Sequence, residues 1–237
     1  MLLVPAMPAH AQVRVLSSVA AKGVVEELAA GFERSTKQKV TPAFGLAAEM
    51  KTKIEAGEPF DVAILTPAML DDLGARGLVD SSARPVVART GLAFMIKSGG
   101  HKPDVSSVDA FRRTVTGARA ITYVATGASG IAFLATLEKL GLADAVKAKA
   151  KVAANGDQVN ANILNGTADL AVLPVSEIVP VRGAEIGGVF PAEVQTYIVM
   201  AAGVNPKSPR AAAAREFVTF LMSDKNTAAI KSKGMER

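Results

Sequence analysis

Short apolar runs alternate with amphipathic segments along almost the whole chain, and no Pro/Gly/Ser-rich linker interrupts them over its 237 residues. The spacing predicts strands at 13–17, 39–43, 61–65 and 86–96, separated by helices at 20–35, 46–56 and 67–75. After a Gly-Gly loop at 99–100 it predicts helix 107–113, strand 119–124, helices 129–140 and 143–148, strand 150–153, helix 157–165 and strand 169–173. A long strand from Val194 to Ala202, a helix from about Pro209 to Met222 and a shorter one after Asp224 complete the pattern. Such alternation defines an α/β fold with parallel sheets covered by helices on both faces, and these sheets bind ligands beyond the carboxyl ends of their strands. The chain is long for one core, so two lobes are expected, and without a linker they must be interleaved.

The first strand–helix junction carries the clearest chemical signal. Val13-Arg14-Val15-Leu16 runs into Ser17 and Ser18 and then directly into a helix whose Val24, Val25, Leu28, Ala29 and Phe32 share one face. Unpaired N–H groups at a helix start carry the positive end of the peptide dipoles, and two hydroxyls beside them can serve the same bound oxyanion. The two serines equally suit an ordinary helix cap. Arg14 sits one position off in the strand alternation and reads as a solvated edge charge.

Residues 1–11 are apolar and end Pro8-Ala9-His10-Ala11 ahead of Gln12, a small-residue pattern that reads as the remnant of a signal peptide; a short disordered tail is the other reading. No later stretch offers the roughly twenty unbroken apolar residues of a membrane span. With no cysteine, disulfides, thiolate metal sites and Cys nucleophiles are excluded. Two histidines, His10 and His101, build no His-based metal cluster, so no metal is expected, and no cofactor is implied. The net charge of +5 is scattered, and with nine Phe, two Tyr and no Trp it argues against nucleic acid while suiting a small anion. Gly127-Ala128-Ser129-Gly130 lacks the spacing of a nucleophile elbow, and Asn155-Gly156-Asp157 lacks the downstream glutamate of a calcium loop, so an enzyme is not expected.

Five phrases carry a family resemblance: Val13-Arg14-Val15-Leu16-Ser17-Ser18 before a helix; Ile54-Glu55-Ala56-Gly57-Glu58-Pro59-Phe60-Asp61-Val62-Ala63-Ile64; Thr126-Gly127-Ala128-Ser129-Gly130 leading into Leu137-Glu138-Lys139-Leu140-Gly141-Leu142; Leu164-Asn165-Gly166-Thr167-Ala168-Asp169-Leu170-Ala171; and the closing Ala214-Arg215-Glu216-Phe217-Val218-Thr219-Phe220-Leu221. In this order they resemble the periplasmic solute-binding proteins of ABC importers, most of all the molybdate-binding branch. The resemblance implies a type II periplasmic binding protein, two Rossmann-like α/β lobes joined by two crossing strands with the ligand in the cleft between. Lobe I is then expected at 12–90 plus 193–237 and lobe II at 91–192, with Arg89-Thr90-Gly91 and Val194 to Tyr197 crossing the hinge. Gly91 reads otherwise as a bulge. An exported, monomeric protein delivering a small anion to a membrane permease follows from the same likeness.

Carried over position by position, the ligand contacts implied are Ser17 and Ser18, the backbone at Gly45 and Leu46, and Thr126, Ser129 and Gly130 in the third loop. A Ser-rich turn is replaced by Phe44-Gly45-Leu46, and a Tyr position reads Pro174-Val175-Ser176. Because the departures fall in loops, they bear on the ligand and leave the fold alone. A molybdate- or tungstate-like oxyanion held by neutral donors is one expectation. A small organic di- or tricarboxylate clamped by the planar fork of Arg89 is the other, though Arg89 also suits a surface ion pair. Asn155 reads as a helix cap that can reach the ligand. An alternative from a different class is a free-standing effector-sensing domain like that of LysR-type regulators, which place a helix-turn-helix ahead of it.

Overall fold

The structure, a computed structural model, describes residues 12–80 and 82–237; the expected leader at 1–11 lies outside the described residues. The elements run β1 (Val13–Ser18), α1 (Lys22–Thr36), β2 (Val40–Gly45), α2 (Ala47–Glu55), β3 (Val62–Leu65), α3 (Pro67–Ala75) and β4 (Val86–Lys97). They continue α4 (Val108–Gly117), β5 (Ile121–Tyr123), α5 (Ala128–Leu140), α6 (Ala143–Lys147), β6 (Ala150–Val152), α7 (Gly156–Leu164), β7 (Leu170–Pro174) and α8 (Val175–Ile178). The chain closes with β8 (Ala184–Val189), β9 (Tyr197–Val204), α9 (Ala211–Met222) and α10 (Thr227–Ser232). The fold is the expected mixed α/β architecture.

One strand belongs to both halves of the sheet, whose order is β2-β1-β3-β9-β4-β7-β5-β6 with β8 also on β4. Val86 to Gly91 of β4 run antiparallel to β9, whereas Leu92 to Lys97 lie between β7 and β8. At the change of partner the Gln195 side chain does the work of a strand: its Oε1 accepts from Leu92 N–H at 2.7 Å and its Nε2 donates to Leu92 O at 3.1 Å. Gly91 makes room for this, since a Cβ there would lie 3.0–3.1 Å from the Gln195 amide, and its φ is not positive. Spatial clearance therefore explains Gly91.

Both faces of the sheet are covered, as the apolar runs require. Along β4, Leu92, Phe94 and Ile96 enter one core with Phe111, Phe133 and Phe190, while Ala93 and Met95 enter another with Val159, Ile163 and Ile178. The period of two is that of a strand buried on both sides. Around β1, Val13 and Val15 pack towards α1 and α9, where Phe32 meets Phe217 edge-on at 5.2 Å; Leu16 packs towards α2 and α3.

The described strands and helices depart from the predicted pattern at three elements. β8 and α8 are additional, and the strand expected from Val194 begins only at Tyr197, after a 3-10 turn at Ala192–Val194. β8 is masked in the sequence by its central glycines, which read as a loop. A Cβ at Gly188 would come within 2.4 Å of Val105 Cγ2, and one at Gly187 within 2.8 Å of Ile96 Cγ2. Close packing of the 103–105 segment excludes larger residues there.

Candidate anion-binding site

Five strand-to-helix junctions converge on one cavity of about 450 Å³. Ser18, Val19 and Ala20 follow β1; Gly45, Leu46 and Ala47 join β2 to α2; Gly127, Ala128 and Ser129 open α5; Asn155, Gly156 and Asp157 open α7; Leu173 and Pro174 lead into α8. Each strand leads directly or through a short turn into a helical segment, a 3-10 turn at Val19–Ala21 in the first case, so first-turn N–H groups, which have no intrahelical acceptors, are gathered around one space. Among the described residues no Lys, Arg or His lines it. An anion held here is held by peptide dipoles and neutral donors.

The five helix starts are not equivalent. Ser18 Oγ already accepts from Ala20 N–H at 3.3 Å, and Asn155 Oδ1 from Gln158 N–H at 3.0 Å. α2, α7 and α8 carry an acidic residue in their own first turns, Glu49, Asp157 and Glu177 respectively, each lining the cavity. These carboxylates use up part of the favourable field. α5 has neither an acidic first turn nor a side-chain cap. Its Ser129 is buried, and among the described residues the hydroxyl enters no hydrogen bond. The start of α5 therefore combines an uncapped helix dipole with a hydroxyl that has no other hydrogen bond among the described residues.

Glu177 faces the start of α7: its Oε2 lies 3.7 Å from the point a Cβ on Gly156 would occupy. Burial pushes its carboxyl up from the ordinary 4.5 to about 7, because the charged form is desolvated and no cation lines the cavity to offset the cost. Glu49, by contrast, is exposed and paired with Lys53 at 3.3 Å, and Asp157 is exposed.

Of the residues expected at the ligand, Ser18, Gly45, Leu46, Ser129 and Asn155 share this cavity, and Ser17, Arg89, Thr126 and Gly130 do not line it. Ser17 and Ser18 are consecutive strand residues on opposite faces, so only one can reach the cavity; the Ser17 hydroxyl, fully buried, donates to Ser18 O at 3.1 Å. Thr126 is exposed at the turn before α5. Gly130 is a packing position, for a Cβ there would fall 1.9 Å from the Val124 carbonyl oxygen. Arg89 stands apart: its Nε donates to Glu236 Oε1 at 2.9 Å and its guanidinium lies 4.3 Å from the Tyr197 ring centroid. The geometric basis for an arginine clamp at that position is thus removed. Glu177, absent from the expected ligand residues, lies within three residues of a strand end, where site residues of parallel sheets collect.

An α/β sheet whose strands change partners along one shared strand, with a dipole-lined cavity at the strand ends, is the architecture of a type II periplasmic binding protein. The chain belongs to the bacterial extracellular solute-binding protein family, which it matches over residues 13–236. It is 29% identical over 228 residues to an aconitate isomerase of Pseudomonas sp., covering 94% of this chain and 86% of that one. It is 28% identical over 239 residues to the molybdate-binding protein ModA of Azotobacter vinelandii, covering 97% and 90%. The solved periplasmic molybdate-binding protein of Azotobacter vinelandii superimposes with a TM-score of 0.80 at 22% identity, covering 95% of this chain and 99% of that one. The expected likeness to molybdate-type binding proteins is found. Among the described residues no helix is long and apolar enough to cross a membrane.

Proposed function

We propose that the protein is an exported receptor that captures a small oxygen-bearing anion between its two lobes and hands it to the permease of an ABC importer. The observation that carries this reading is the convergence of five helical starts, one of them a 3-10 turn, on one cavity that no basic side chain among the described residues lines. The anion's charge centre sits at the start of α5, where Ser129 and the free amides donate to it, with Ser18 opposite. An oxyanion of the molybdate or tungstate kind needs only such neutral donors.

A specific observation favours a second ligand class. At about 450 Å³ the cavity falls in the range of roughly 300–1,000 Å³ typical of organic-ligand sites, and several helix starts give separate places for more than one carboxylate. A small di- or tricarboxylate therefore fits, bound by dipoles rather than by Arg89, and one relative is named for its action on such a compound.

A thermal-shift screen of the purified protein against molybdate, tungstate, sulfate and small di- and tricarboxylates tests both classes. At a hundredfold excess over Kd the true ligand adds about 2.7 kcal/mol to the apparent stability. Failure of every anion would reject the small-anion reading. Ser129→Ala is expected to weaken binding of the hit by about tenfold to a hundredfold, the loss of one donor to a charged group, while ligand-free stability moves by less than about 0.5 kcal/mol. Isothermal titration of wild type and variant checks it, and unchanged affinity would move the anion away from α5.

A further inference from the structure

Glu177 has no place in a simple anion trap. A carboxylate in the wall of a cavity built from helix starts repels the ligand that those helix starts attract. Among the described residues no hydrogen bond or ion pair engages its carboxyl, so it is not a structural salt-bridge partner either. Yet the turn that carries it is held from three sides. Ser176 Oγ donates to Ala20 O at 2.7 Å, Ser176 N–H donates to Thr90 Oγ1 at 3.2 Å, and the backbone at Gly234 packs so closely that a Cβ there would lie 3.1 Å from Ser176 N. Three separate segments thus hold the turn from which Glu177 presents a free carboxyl to the cavity, the kind of backbone support a preorganised acid–base group needs.

We propose that Glu177 transfers a proton between two carbons of a bound unsaturated carboxylate, so that the protein isomerises such a ligand by moving its double bond. This rests on the carboxylate reading of the same cavity. Glu177 removes a proton from the methylene lying between the double bond and a carboxylate: the C–H bond breaks, an O–H bond forms on Glu177, and the electron pair enters the conjugated system. Negative charge then builds on carboxylate oxygens at the start of α5, where amides and the Ser129 hydroxyl stabilise it without reorganising. Glu177 returns the proton to the far carbon of the three-carbon unit, which completes the double-bond shift. One group serves as base and then as acid, and no oxidant, reductant or cofactor is consumed. Its upward displacement to about 7 leaves both forms populated near neutral pH, as a group that must first take and then give a proton requires.

The test uses cis- and trans-aconitate as probes with the whole protein in D₂O. Proton NMR follows deuterium entry at the methylene and vinyl carbons together with interconversion of the isomers, while calorimetry reports binding separately. Wild type is expected to bind and to exchange; Glu177→Gln is expected to bind within about tenfold of wild type but to exchange about 10²–10⁴-fold more slowly. Glu177→Asp should restore part of the rate, and the wild-type rate should follow the titration of one group near 7. Binding without exchange in wild type would overturn the proton transfer and leave the carboxylate reading standing. Exchange that survives in Glu177→Gln would remove Glu177 from the role. Absence of binding to either isomer or to a saturated tricarboxylate would overturn both.

Discussion

Glu177→Gln is expected to stabilise the ligand-free protein by about 3 kcal/mol at pH 8 and by almost nothing at pH 4. The sign follows from proton counting. Folding raises this carboxyl from its ordinary 4.5 to about 7, so between those values the folded state holds a proton that the unfolded chain has released. Stability therefore falls as pH rises through that window and stays low above it. The gap corresponds to about 3 kcal/mol, after a small allowance for the solvent that reaches the carboxyl from the cavity. Gln keeps the shape and removes the charge, so the penalty disappears only where the native carboxyl would be ionised. Denaturant titrations of both proteins from pH 4 to pH 8 test this, and parallel stability curves would show that Glu177 is not desolvated. Such a burden on the resting protein fits the proton-transfer role proposed for Glu177, whose removal would then stabilise the fold while abolishing that activity.

The sheets and most helices are legible because their information is local. Strand β4 announces itself by its length and by apolar residues on both faces, and helix α3 begins at a proline placed where a first turn has no need of the missing N–H. β8 is invisible for the opposite reason: its two central glycines are dictated by Val105 and Ile96, which are distant in sequence, so its own residues spell a loop. The candidate site divides the same way. That strand ends followed by helix starts form a cavity can be read from the order of elements, which brings Ser18, Gly45, Leu46, Ser129 and Asn155 to one place. Which side chain of a serine pair turns inward depends on strand register, and the fate of Arg89 depends on Glu236, far along the chain. Glu177 escaped notice because its significance lies in what surrounds it: burial and the absence of a nearby cation are tertiary facts.

The other large effect is expected at Asp61, where Asp61→Ala should cost about 3–5 kcal/mol of stability and lower the melting temperature by about 10 °C. Asp61 is fully buried at the turn into β3. Its Oδ2 accepts from Arg14 N–H at 2.7 Å and from Arg210 Nε at 3.0 Å, and its Oδ1 accepts from the Ser208 hydroxyl. Its backbone is also committed, donating to Arg14 O and accepting from Asn205 N–H, both at 2.9 Å. One carboxylate thereby ties the first strand to the loop that opens α9, which lies 149 residues beyond Asp61 at Arg210. Charge-assisted hydrogen bonds contribute about 1.5–3 kcal/mol each, and alanine leaves the Arg14 N–H and the Ser208 hydroxyl without the acceptor they share. Asp61→Asn keeps one acceptor oxygen and should lose roughly half as much. The effect is positional as well as energetic, because β1 is the strand that carries Ser18 to the cavity wall. Ligand affinity should therefore fall along with stability in Asp61→Ala, although the residue lies at the opposite end of β1 from the cavity. Denaturant unfolding with and without a bound anion separates the two effects, and a variant as stable as wild type would show that the three side-chain hydrogen bonds are dispensable.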